Sequence, residues 1–153
     1  MRVDSEHRAP IALGEKLRAA DVMSPELMSE ILDVTCRRAL LQSNGAKASH
    51  LEELIDACAW TDAALALLEL ELPRRHIRRI AYDGGEWHCA LSRQRELPDW
   101  LDQSIETRHP DLALAILTAF VEAQWAMPLS RPSVPVIPRK ADEGIPLCCE
   151  NFA

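Results

Sequence analysis

Six arginines, Arg74, Arg75, Arg78, Arg79, Arg93 and Arg95, gather between residues 74 and 95, where Asp83 and Glu86 are the opposing charges. Guanidinium forks match phosphate oxygens two at a time, and a two-stranded ribbon can enter a nucleic-acid groove. Arg74, Arg75, Arg78 and Arg79 are therefore the candidate contacts for a phosphate or a nucleic acid. The rest of the chain argues the other way. Its formal net charge of -7 repels a polyanion, and pairing with its own acidic helices gives these arginines a purely structural use. Duplex DNA is expected to bind weakly at most and to be released by salt.

Other reactive side chains are scattered. His88 and Cys89 are neighbours that a strand points to opposite faces, so they are not placed to share an ion or pass a proton. His76, His109, Cys148 and Cys149 have neither CxxC nor HxxxH spacing, and the expectation is no metal and no cofactor. Adjacent Cys148 and Cys149 do not bridge without strain. Asp99, Asp102 and Glu106, at helical spacings of three and four, would align three carboxylates for acid–base or divalent-metal chemistry. A solvated helix face is the favoured account of them, since first-turn acids also stabilise the helix dipole. Pro135 to Lys140 matches PxxPx[RK], a polyproline recognition pattern that arises often by chance. No GxGxxG, P-loop, GxSxG, HExxH or kinase signature occurs, which tilts the reading away from an enzyme.

The elements that position these groups follow from composition and period. A chain of 153 residues fits one domain with a substantial core; 48% hydrophobic and 5% aromatic residues suit an aliphatic, helix-rich one. The longest apolar run, Leu112 to Leu117, is far short of the roughly 20 residues that span a bilayer. Met1 to Pro10 is polar and has no apolar signal core, so a cytoplasmic location without membrane association is expected. Cys36, Cys58 and Cys89 lie in apolar patterns and read as reduced, buried thiols.

Residues 1–23 read as a mobile or loosely docked arm, 24–127 as the globular domain, and 128–153 as an extended Pro-rich tail. Ser24-Pro25-Glu26 opens a helix to about Ser43, with Leu27, Ile31, Val34 and Leu41 as its stripe. Ser49 with Glu52 reads as a capping box for a second helix, whose stripe is broken at Asp62 and recapped by Thr61 or Asp62. Leu68 to Leu72 alternates with period two, so helix and strand both remain open there.

Ile77 to Tyr82 and Trp87 to Ser92 flank Asp83-Gly84-Gly85 as a β-hairpin. A two-residue loop puts Ile80 and Tyr82 on one face with Trp87, Cys89 and Leu91; a three-residue loop puts Ile77, Arg79 and Ala81 there instead. Pro98 opens a third helix to about Thr107, and Pro110-Asp111 a fourth, whose Leu112 to Val121 stretch is apolar all round and must be central.

The expected fold is α+β and mainly α: two helices, a hairpin with room for a third strand, and two more helices. The expected function is a non-enzymatic protein-interaction or regulatory module. Phosphate or nucleic-acid binding through the hairpin arginines is the alternative, and an enzyme using the acidic face is a third. A hairpin alone leaves both edges unpaired, so a homodimer, or another protein partner, is expected either to extend the sheet or to bury the face of Tyr82, Trp87 and Leu91.

Overall fold

The computed structural model describes residues 4–35, 45–93 and 104–126. These form helices α1 (Asp4–Ala19), α2 (Pro25–Thr35), α3 (Gly45–Asp56) and α4 (Trp60–Glu71), strands β1 (His76–Asp83), β2 (Glu86–Ser92) and β3 (Ile105–His109), and helix α5 (Leu112–Trp125). The expected mainly α, α+β class is what is observed. The Pro-rich tail and most of the expected third helix lie outside the described residues, as do Cys36, Cys148 and Cys149.

Helix α5 is the hub. Every residue from Ala113 to Val121 is buried, including Leu114, Ile116, Leu117 and Phe120 at 0% exposure. An apolar surface on all sides needs cover on all sides. That cover comes from β2 and β3 on one flank and from α1 and α4 elsewhere. Thr118, the one polar residue of the run, donates its hydroxyl to the Leu114 carbonyl at 2.7 Å and so satisfies itself within the helix. Asp111 caps the helix by accepting from the Leu114 amide at 3.0 Å.

The later part of the segment read as a mobile or loosely docked arm instead belongs to the core. Leu13 and Leu17 of α1 are 1% and 0% exposed and pack in the same cluster as α5, followed by Met23 at 5%. Their spacing of four places both on one helix face, a stripe too short to stand out against the charges around it. Ser24 caps α2 as its sequence suggests, its Oγ accepting from the Leu27 amide at 3.2 Å, and Met28 and Ile31 are buried beneath it.

Between α3 and α4 the expected break occurs, but one turn earlier and without a side-chain cap. Cys58 takes a left-handed φ of 55°, and Ala59 at the start of α4 caps no amide. Ser49 lies inside α3 and donates back to the Gly45 carbonyl at 2.8 Å, so the Ser49–Glu52 pair is not a capping box. Leu68 to Glu71 is helical: Leu67 and Leu68 are both buried, which adjacent residues of a strand cannot be on one face. Pro73 then disfavours helical backbone at Leu72 and stops α4.

The sheet is antiparallel with order β1-β2-β3. Gly84 (φ 61°) and Gly85 (φ 91°) form the two-residue turn between Asp83 and Glu86, a backbone shape that glycine adopts without strain. Tyr82 thus pairs with Trp87 and Ile80 with Cys89, as the two-residue alternative requires. The third strand is not Leu68 to Leu72 but Ile105–His109, residues read as the end and aftermath of a third helix. Ile105, Thr107 and His109 face the helices while Glu106 and Arg108 are exposed, a period of two that the i, i+4 pair Leu101 and Ile105 masked. Pairing with β3 closes the second edge of β2, whose Cys89, Ala90 and Leu91 are buried.

His109 ties three elements together. Its Nδ1 accepts from the Asp111 amide at 2.9 Å, which leaves Nε2 to carry the hydrogen and donate to the Ala20 carbonyl at 2.8 Å. The last carbonyl after α1 is thereby fixed to the corner between β3 and α5.

Candidate functional site

The arginine cluster of the sequence divides into two places. Beyond Pro73 the chain turns, with the Arg75 amide donating to the Leu72 carbonyl at 2.9 Å, and this turn sets Arg74 and Arg75 beside Arg93 at the end of β2. Together with Glu71 and Gln124 they line a cleft of about 790 Å³, where the end of α4, the start of the sheet and the last turn of α5 meet. Arg75 is 9% exposed, whereas Arg74 and Arg93 reach solvent.

Arg78 and Arg79 belong to another surface. The register slips between Ile77 and Arg79, so Arg78 is the extra residue of a β-bulge, and Arg79 resumes pairing opposite Ala90. Both line a depression of about 250 Å³ on the sheet face away from the helices, shared with Ser104 and Glu106. Arg79 faces Glu106 across it at 3.9 Å, both solvated, a separation that contributes little. The four arginines therefore do not line one phosphate clamp. Glu106 stands on a strand rather than on the helical face expected for it, and Asp99 and Asp102 lie outside the described residues.

Tyr82, Trp87 and Leu91, grouped as one interface, also separate. Leu91 is fully buried under the helices and is core. Trp87 is half-buried against that core, and Tyr82 is 61% exposed with its ring 5.1 Å from Trp87 at a tilt of 54°. Among the described residues α5 packs chiefly on β2 and β3; on the helix side of β1, Ile77 packs against the core while Ile80 is 37% exposed. β1 is also an edge strand, and at eight residues the longer of the two edges.

His88 and Cys89 point to opposite faces, as neighbours on a strand do. Cys89 is 1% exposed, and burial pushes its thiol up from the ordinary 9.0 to about 11. Cys58, expected inside, is exposed on the left-handed corner between α3 and α4. Iodoacetamide at pH 8 followed by peptide mapping will label Cys58 and leave Cys89 untouched until denaturant is added; rapid labelling of Cys89 would contradict its burial. Between pH 9 and 11 the unfolded thiol has lost its proton and the folded one has kept it. This group's stabilisation is thus complete below pH 9 and lost as pH rises towards 11, with a slope of at most about 1.4 kcal/mol per pH unit. A Cys89→Ala variant unfolded in urea across that range should have the shallower alkaline decline.

Among the described residues no group of three or more His, Cys, Asp and Glu is placed to hold a metal ion, and no helix is long and apolar enough to cross a membrane. Gln124 had no signal in the sequence as a site residue, because it sits in a helix whose pattern is all core and joins the arginines only through the meeting of α4 with α5. Compared with protein-family models, curated proteins and solved structures, the chain has no match.

Proposed function

We propose that the protein is a non-enzymatic interaction module that associates through the open edge of β1, and that the strand it pairs with is β1 of a second copy. The observation that carries this is an eight-residue edge strand with Ile80 and Tyr82 exposed beside it. Natural edges of that length are shortened, charged on both faces or covered.

The backbone supports one register. Asp83 and Glu86 close a two-residue turn and so form a hydrogen-bonded pair, which directs the amide groups of Asp83 and Ala81 towards β2 and those of Tyr82 and Ile80 outward. A second β1, antiparallel about a two-fold axis at Ala81, sets Ile80 against the partner's Tyr82 and Tyr82 against the partner's Ile80 as hydrogen-bonded pairs. On the opposite face Arg79 then meets the partner's Asp83, and Asp83 meets the partner's Arg79. Each apolar residue finds an apolar one and each charge its opposite, which is the self-complementarity that a two-fold interface requires. Ala81 faces its own copy, where a small side chain suits the close, non-hydrogen-bonded pair. The fully buried, reduced Cys89 fits a cytoplasmic setting for this assembly.

Light scattering on the reduced protein at micromolar concentration should give a dimer mass. Ile80→Lys with Tyr82→Lys places charge on exposed positions and should give a folded monomer. Arg79→Asp and Asp83→Arg should each weaken the dimer, and their combination should restore it. A monomer at all concentrations, or a dimer indifferent to these changes, overturns the reading.

A further inference from the structure

We propose that the cleft of Arg74, Arg75 and Arg93 binds a small oxyanion, a phosphate or carboxylate group carried on a compact molecule. This rests on observations independent of the β1 edge. Among the described residues three guanidinium groups, from the α4–β1 turn and the end of β2, line the cleft with one carboxylate, Glu71; Arg75 and Glu71 are already engaged, so the exposed Arg74 and Arg93 are the charges that meet a ligand. The volume of about 790 Å³ lies within the range of small-molecule sites, and Leu72 and Pro73 supply an apolar wall beside the charges.

The second observation is Gln124. Its Nε2 is buried, lines the same cleft and donates no hydrogen bond, while the Glu71 Oε1 buried in that cleft accepts none, so an oxyanion that keeps one hydroxyl, with an acceptor oxygen and an O–H donor, meets both. An amide donor held away from water without an acceptor is unfavourable, and an oxyanion seated among the arginines supplies the acceptor. The guanidinium forks favour a planar carboxylate or a phosphate with two oxygens presented together. A long polyanion is disfavoured because the chain as a whole is acidic, with a net charge of -7.

Isothermal titration of the full chain with pyrophosphate and, separately, with citrate separates the two oxyanion classes. Saturable binding of at least one is expected, accompanied by a rise in Tm. Arg74→Ala with Arg93→Ala, both exposed in the folded protein, should weaken it about tenfold or more. Gln124→Leu should weaken it while leaving the fold intact, whereas Arg78→Ala with Arg79→Ala, on the other sheet face, should leave it within about twofold. Binding of neither probe overturns the proposal. So does equal weakening by the Arg78 and Arg79 pair, which would mark diffuse charge attraction rather than a cleft.

Discussion

Replacing Leu13 and Leu17 together by alanine will leave the protein at the edge of unfolding. Both side chains are buried in the cluster that covers α5, and a buried Leu→Ala change costs about 2 to 5 kcal/mol. Two such losses compare with a total stability of about 5 to 15 kcal/mol for a domain of this kind. Neighbours in one cluster are not strictly additive, so the double variant should be read against each single one. Urea unfolding followed by circular dichroism is the measurement. Ile11→Ala on the same helix, at a position 64% exposed, is the control and should change stability by less than about 0.5 kcal/mol. If the double variant unfolds like the wild type, α1 is not part of the core and the N-terminal segment is an arm after all.

The second large effect is expected at the centre of α5. Leu117→Ala should cost about 2 to 5 kcal/mol, towards the upper end of that range, because the cavity it leaves cannot collapse readily. The helix is held between the sheet and helices α1 and α4, and its other buried positions already include Ala113, Ala115 and Ala119. Trp125→Ala, at 37% exposure near the end of the same helix, should cost less despite removing more atoms. A near-neutral Leu117→Ala midpoint in urea would mean that the covering elements are loosely packed against α5.

The sequence by itself determined the parts whose information is local. Two adjacent glycines specify a two-residue turn because few other residues accept positive φ twice, and that turn alone sets which faces Tyr82, Trp87 and Cys89 share. Ser24-Pro25 specifies the start of α2 through an Oγ acceptor and a residue that tolerates the first helical position. The apolar surface from Ala113 to Val121, interrupted at Thr118, specifies a central helix, since no other placement hides it.

Tertiary structure decided what local pattern left ambiguous or hid. Leu68 to Glu71 alternates like a strand, yet continuing a helix already begun at Trp60 and burying the adjacent Leu67 and Leu68 together outweighs that alternation. Ile105–His109 becomes a strand because β2, buried across Cys89 to Leu91, needs a hydrogen-bonding partner on its far side. Leu13 and Leu17 are core because α1 covers a flank of α5, and no window around those two leucines contains that fact. The same holds for the candidate sites. Six neighbouring arginines look like one patch, but a proline stop, a bulge and strand alternation send Arg74 and Arg75 to one concavity and Arg78 and Arg79 to another. Charge in a sequence is a matter of composition; which charges act together is fixed by the direction each backbone position gives its side chain.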